Sequence, residues 1–241
     1  MSAAPPLPET PGDAGTSAYE LIREAIISGR LGPNERLKVG ELAARLGTST
    51  NPVREALQLL RGEGFVIMEP NRGARVRPID EDFVRDIIEI EVLIEAALTR
   101  WYVGIASHAD IAALEAKQAE IEALDFRDPA QHGRLDTQFH QLIYDRHYNR
   151  HAAELWWKHR EILRAISRRF PTSLARRTAV LREHRELIER IRAEDAEGAA
   201  AVVARHVEGS GRNIIEQMGA ARRTAAREQP AVVGLAPRQP A

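Results

Sequence analysis

Asp136 and His140 stand four residues apart in the run Leu135-Asp136-Thr137-Gln138-Phe139-His140. On a helix that spacing puts both side chains on one face, a turn apart, within reach of a single ion. His184 and His206 fall in later segments of the same half of the chain. Neutral imidazoles and a carboxylate suit zinc, nickel, manganese or a similar divalent ion. The ordinary reading of an Asp-x-x-x-His pair is a surface pair or a cap. The chain has eight histidines, so His108, His132, His147, His151 and His159 leave other pairings open. There is no cysteine, which removes disulfides, thiolate ligands and cysteine nucleophiles. A metal-dependent hydrolase stays a remote alternative, because neither His-Glu-x-x-His nor a Gly-rich phosphate loop occurs.

A second constellation lies nearer the N-terminus, in Thr48-Ser49-Thr50-Asn51-Pro52-Val53-Arg54. Ser49 or Asn51 can cap a helix there, and Pro52 suits a first turn. The free N–H groups of a helix N-terminus favour phosphate. Arg54, one turn in, can reach guanine or phosphate, whereas Thr50 offers one hydrogen bond or a van der Waals contact. Downstream, Pro70-Asn71-Arg72-Gly73 reads as a hairpin-like turn, with Arg72, Arg75 and Arg77 around Gly73. A glycine at such a tip allows close approach to a sugar-phosphate backbone. Ser49, Thr50, Asn51, Arg54, Arg72, Gly73 and Arg75 are therefore the candidate DNA contacts.

The elements that must hold these residues can be read from periodicity. The chain has 241 residues, enough for two ordinary domains, and its 44% hydrophobic content supplies a core. Residues 1–16 are Pro/Ala/Gly-rich and read as a disordered arm. Residues 17–79 read as helix, helix, tight turn, helix and a two-stranded wing, the order of a winged helix-turn-helix. Residues 80–218 read as long amphipathic helices at about 81–104, 108–124, 128–147, 151–169, 174–193 and 195–217, joined by short connections as an antiparallel all-α bundle of six to seven helices. Residues 219–241 read as a flexible tail. The fold class expected is thus mostly α.

Net charge is −1 overall, but ten basic against seven acidic residues in 17–79 precede a section, 80–218, that carries −5. A mildly basic front on an acidic body fits a DNA-binding module joined to a sensing module. No apolar run approaches the roughly 20 residues that cross a bilayer. The N-terminal stretch lacks a basic start and an apolar core, so a cytoplasmic protein without a membrane partner is expected.

Residues 18–77 resemble the N-terminal domain of the GntR family of regulators. The matching residues are Ile22-Arg23-Glu24-Ala25-Ile26, Gly29-Arg30-Leu31, Arg36-Leu37, Glu41-Leu42-Ala43, Leu46-Gly47, Pro52-Val53-Arg54-Glu55-Ala56-Leu57, Gly64 and Asn71-Arg72-Gly73-Ala74-Arg75-Val76. Asn34 stands where the family often has Gly, while Gly40 and Thr50 stand where it often has Arg. Two usual arginine contacts are therefore missing, and Arg54 and the wing carry more of the recognition.

Residues from about 82 to 218 resemble the FCD domain of the FadR-type branch. Its ligand pattern is met by Asp136-Thr137-Gln138-Phe139-His140, Glu183-His184-Arg185 and Arg205-His206. The resemblance implies that Asp136, His140, His184 and His206 hold a divalent metal, zinc first and nickel or manganese otherwise, which meets a small organic-acid effector, a carboxylate or sugar acid. Asn213, seven residues after His206, then falls on the same helical face as an effector hydrogen-bond donor. Glu91 stands where the family commonly has an Arg facing the effector, which puts a simple mono- or dicarboxylate in question. Arg160, Arg164 and Arg168 form a four-spaced stripe whose ordinary reading is a solvated face. Arg164 is the candidate from it to supply the missing charge. The aromatics Trp101, Tyr102, Trp156 and Trp157 read as core or dimer-interface residues. The function implied is a homodimeric regulator, repression being the commoner mode, on a palindromic double-stranded operator. A purely structural or signalling metal is the alternative.

Overall fold

The computed structural model describes residues 17–69, 73–124, 126–170 and 172–228. The first helix, α1 (Ala18–Ile27), opens on a capping box: Glu20 N–H donates to Ser17 Oγ, and Ser17 N–H donates to the Glu20 carboxylate at 2.8 Å. Strand β1 (Arg36–Leu37) follows, then α2 (Val39–Arg45) and α3 (Thr50–Gly62). Between α2 and α3, Gly47 has φ +63°, the left-handed conformation that a tight turn between two helices requires. Strands β2 (Val66–Glu69) and β3 (Gly73–Val76) complete an antiparallel sheet in the order β1-β3-β2. Leu37 and Met68 both pair with Ala74, and Val66 pairs with Val76. Ile22, Val53, Leu60 and Phe65 are fully buried beneath this sheet and between α1 and α3.

The sheet has one strand more than the two-stranded wing expected. β1 is two residues long, too short for alternation to announce it. Asn34 leads into it at φ +62°. This is the residue that replaces a family glycine, and asparagine is among the few side chains that tolerate that conformation. The backbone turn is thus kept without the glycine.

Six helices follow among the described residues: α4 (Glu81–Val103), α5 (His108–Leu124), α6 (Pro129–Tyr144), α7 (Arg150–Ser167), α8 (Leu174–Arg192) and α9 (Ala196–Glu228). Side-chain caps start most of them: Asp80 accepts from Phe83 N–H at 2.9 Å, Asp128 from Ala130 and Gln131, and Asn149 from Ala152. α4 packs most extensively against α9. The close approach needs Gly211, where an added Cβ would sit 2.5 Å from Ile88. Tyr102 and Trp156 are buried in the bundle core, while Trp157 is 41% exposed.

Two departures from the sequence reading concern boundaries. α9 runs to Glu228, so residues 219–228 are helical where a flexible tail was expected. The Ala/Arg-rich run there lacks an apolar stripe but has high helix propensity. The expected arm, 1–16, and the remainder of the tail lie outside the described residues. The core of the winged unit also does not stop at residue 79. It continues into Ile162, Ala165 and Ile166 of α7 and Val207 and Ile214 of α9. Among the described residues no helix is long and apolar enough to cross a membrane.

Candidate functional site

Three helices of the bundle bring four dispersed residues to one point. α6 supplies Asp136 and His140, α8 supplies His184 and α9 supplies His206. One ligand atom from each lies within 4.8 Å of all the others, and all four residues are buried. The His184 and His206 ring centroids are 4.8 Å apart and those of His140 and His206 5.1 Å. His184 Nε2 lies 3.4 Å from Asp136 Oδ1.

Surrounding groups fix which imidazole nitrogens face the centre. Gln118 Oε1 lies 2.9 Å from His184 Nδ1 and so accepts its N–H, leaving Nε2 with a free lone pair. Glu183 Oε2 lies 3.0 Å from His206 Nδ1, which makes that nitrogen the protonated one. The Arg176 guanidinium is also near His206 Nδ1, but its Nη2 donates to His206 O at 2.8 Å and Ser210 Oγ at 3.0 Å, and its Nη1 donates to Glu183. Neither nitrogen of His140, nor His184 Nε2, has a hydrogen-bond partner among the described residues. Burial pushes His140 down to about 3. Burial first, then the neighbouring imidazoles, holds His184 and His206 well below the usual histidine range. The centre is a set of neutral imidazoles beside a carboxylate, and the lone pairs of His140 and His184 meet no proton donor among the described residues. Unpaired buried acceptors cost free energy, and a divalent cation satisfies them. The residues therefore fit a metal by the chemistry of the donor set.

Asp136 also faces outward, where the Arg160 guanidinium meets its Oδ2 and donates to Thr137 Oγ1 at 3.2 Å. Arg160 is thus drawn into the bundle and is not part of a solvated face. Beyond it opens a cavity of about 190 Å³, lined among others by His132, Asp136, Arg164, Arg176 and Asn213. Burial lowers His132 to about 4, so it faces the cavity neutral. Asn213 is buried, and its Oδ1 accepts from Ser173 N–H at 3.1 Å, leaving its NH₂ as the available donor. Arg164 lines the cavity while donating to Glu161 at 2.9 Å.

Glu91 does not line this cavity. It is 1% exposed and meets His159 Nδ1 at 2.7 Å. Burial raises its carboxyl to about 8, while burial lowers His159. The pair is therefore a protonated carboxyl donating to a neutral imidazole. Glu95, raised to about 8 by burial and then by Glu91, accepts the Tyr144 O–H at 2.8 Å. The positive charge that the sequence lacks at position 91 enters the site from α7 as Arg160. Gln118, Glu183 and Arg176 were not singled out from sequence as supports of the centre. Glu183 adjoins His184, but nothing in the spacing of Gln118 announces it.

On the winged unit, Ser49, Thr50, Asn51 and Arg54 are all exposed at the start of α3. Ser49 is the N-cap but makes no side-chain cap hydrogen bond, so the first N–H groups of α3 face outward. Arg54 has no partner among the described residues. Gly73 is exposed at φ +81°. Arg75 is tied down: it donates to Asn34 O at 3.0 Å and pairs with Glu69 at 3.3 Å. Arg72 lies outside the described residues.

Comparison with known proteins agrees with this architecture. Residues 15–76 match the bacterial regulatory proteins of the gntR family, and residues 86–209 match the FCD domain. The HTH-type transcriptional regulator YdhC of Bacillus subtilis is 26% identical over 190 residues, covering 78% of this chain and 85% of its own length. The galactonate operon transcriptional repressor of Escherichia coli is 24% identical over 216 residues, covering 81% and 94%. Among solved structures, Lar of Listeria monocytogenes superposes with a TM-score of 0.65 at 20% identity, covering 83% of this chain and 95% of its own. A GntR protein of Rhodococcus sp. RHA1 gives 0.59 at 23% identity, covering 82% and 95%. Those two likenesses concern the fold. The family consists of DNA-binding regulators, which removes the hydrolase reading. The first match falls on the winged helix-turn-helix and the second on the helical bundle behind it, and the chain belongs to the GntR family of transcriptional regulators, in the branch that carries an FCD domain.

Proposed function

We propose that this regulator works as a homodimer on a palindromic operator and acts as a repressor released by a small organic acid. The acid binds in the cavity beside a divalent ion held by Asp136, His140, His184 and His206. The observation that carries this reading is the buried set of unpartnered imidazole lone pairs opening, through Asp136, onto a cavity lined with arginines. A divalent ion there supplies a Lewis-acidic positive charge at the inner end of the cavity. Zinc is the first candidate and nickel or manganese the others. Arg164 and the NH₂ of Asn213 contact the acid. Ser49, Thr50, Asn51 and Arg54 contact DNA from α3, with Arg72, Gly73 and Arg75 in the wing. A sugar acid is favoured as effector because a relative spanning most of the chain is the repressor of a galactonate operon.

The test is calorimetry of sugar acids and short carboxylates against metal-loaded and chelated protein, beside a gel-shift titration on the chain's own upstream DNA. The reading requires salt-sensitive, sequence-selective DNA binding that a bound acid weakens, and acid binding that chelation removes. Acid binding that survives chelation would assign the metal a purely structural role.

A further inference from the structure

Among the described residues, the charges around the cavity do not balance. Asp136 is the one acidic side chain lining it among them, and Arg160 already neutralises Asp136. Arg176 is neutralised by Glu183 at 2.9 Å. Arg168 and Arg177 also line the cavity and have no carboxylate partner among the described residues. Arg177 donates to Thr172 O at 3.0 Å and lies over the Phe126 ring. Arg168 is exposed, so the cavity runs from a buried end at Asp136 to a solvent edge carrying two surplus positive charges.

Between these ends stands Arg164, whose only carboxylate partner among the described residues is Glu161. Glu161 does not line the cavity. It points the other way, toward the winged unit, where Arg23 of α1 donates to its backbone carbonyl at 3.2 Å and meets the same carboxylate oxygen as Arg164 at 3.5 Å. Arg23 in turn lies 3.8 Å from Glu63, the C-cap of α3, and Tyr19 O–H donates to Glu63 at 2.6 Å. Ile162 and Ile166, on the turn around Glu161, are buried in the core of the winged unit. A chain of ion pairs, Arg164–Glu161–Arg23–Glu63, its last link the looser 3.8 Å approach, therefore joins the cavity wall to the end of the helix that carries the DNA contacts.

We propose that the effector carries a second acidic group, bound at the Arg168/Arg177 edge, and that this group takes Arg164 from Glu161. This rests on the organic-acid reading above and adds to it a ligand class and a route of regulation. Glu161, left with Arg23 alone, holds it more tightly. Arg23 is then drawn toward α7 and away from Glu63. The ligand has differential contacts in the two states, as any coupling requires: Glu161 engages only Nη2 of Arg164, and the ligand gains that donor as well when the Glu161 bond is given up.

The experiment uses full-length zinc-loaded protein with acetate, succinate and citrate as probes. It reads affinity by calorimetry and amide exchange of 18–27 and 50–63 by mass spectrometry. In the wild type, succinate or citrate should bind at least about tenfold more tightly than acetate and speed exchange in both segments. Replacing Arg168 and Arg177 together with Gln should bring the diacids down to acetate. Glu161→Gln frees Arg164, so diacid affinity should rise while the change in exchange disappears. Arg164→Gln approaches the same bond from the cavity side and should lose both affinity and the exchange response, so a poorly folded Glu161→Gln does not decide the matter. Equal affinity for acetate and the diacids, or an Arg164→Gln protein with unchanged binding and exchange, overturns this inference and leaves the organic-acid reading standing. Failure of all three acids to bind overturns this inference, and failure of the sugar acids as well overturns the organic-acid reading.

Discussion

Gln118 and His184 share a hydrogen bond at 2.9 Å, from helices 66 residues apart in sequence, and both side chains are buried. The amide is itself oriented, because its NH₂ donates to Glu122 at 2.9 Å. Its oxygen must therefore face the imidazole, and His184 presents Nε2 to the Asp/His₃ centre. Outer partners of this kind typically change metal affinity about 10–100-fold when removed. Gln118→Leu should lower zinc affinity by that order while leaving the far-ultraviolet circular dichroism unchanged. Competition with a chromophoric chelator measures it, and wild-type affinity in the variant would show that Gln118 does not orient the ligand.

An ion at the centre would also add to stability. Without one, His140 and His184 leave buried nitrogens unpaired. A ligand at about 1,000 times its dissociation constant stabilises the fold by roughly 4 kcal/mol, and for a chain of this size each kcal/mol moves Tm by about 2–4 °C. Chelation should therefore lower Tm by about 10 °C, reversibly on adding metal. His140→Ala should already show the low Tm and be indifferent to chelator. Scanning calorimetry decides it; a Tm that chelation leaves in place would count against a bound ion.

The parts of this molecule that sequence made legible are those with a local signature. The long amphipathic helices, the four-residue spacing of Asp136 and His140, and the Gly47 turn can all be read along the chain. What escaped depends on distant partners. The same four-residue spacing that aligns Asp136 with His140 aligns Arg160 with Arg164, yet α7 turns Arg160 onto Asp136, and no local pattern distinguishes that from a solvated stripe. Glu91 is informative in sequence only as an oddity; its partner His159 is 68 residues away. Strand β1 exists because β3 pairs with it, and its two residues have no period of their own.

Glu91 gives a pH dependence whose sign follows from its burial. Its carboxyl is raised to about 8 in the fold, against about 4.3 in an unfolded chain. Between those values the folded state binds the extra proton, so this contribution is fully present below about pH 4.3 and is lost as pH rises through 8. The slope approaches about 1.4 kcal/mol per pH unit for one group. Glu91→Gln keeps a donor toward His159 and cannot ionise. The stability difference between wild type and variant, from urea unfolding at pH 5 to 8.5, should therefore shift in favour of the variant as pH rises. A difference that stays flat across that range would mean that the carboxyl is not buried neutral.

Gly211 tests the packing of α4 on α9. A methyl group there would meet Ile88 at 2.5 Å, and Ile88 is itself buried. Overpacking of this kind costs about 1–3 kcal/mol, which outweighs the gain of up to about 1 kcal/mol in helix propensity on replacing glycine. Gly211→Ala should lower the urea midpoint. The double variant with Ile88→Val should recover part of the loss, because it removes a methyl group from the crowded side. Additive effects of the two changes would place the strain elsewhere.

Two arginines on the winged unit should respond differently to the same substitution. Arg54 is exposed near the start of α3 and has no partner among the described residues, so its guanidinium is free to meet DNA. Arg75 is held between Asn34 O and Glu69 within the sheet. Arg54→Ala should leave Tm unchanged and weaken binding to upstream DNA by about 1–3 kcal/mol if it reads a base; if it meets a phosphate, the salt slope should fall by about 1. Arg75→Ala should lower Tm, since it releases the Asn34 turn and the Glu69 carboxylate, and should weaken DNA binding less than Arg54→Ala does. Fluorescence anisotropy at several salt concentrations, read beside thermal melts, separates the two. A larger DNA-binding loss at Arg75 than at Arg54 would mean that the wing leaves its sheet contacts on the operator and that α3 is not the principal reader.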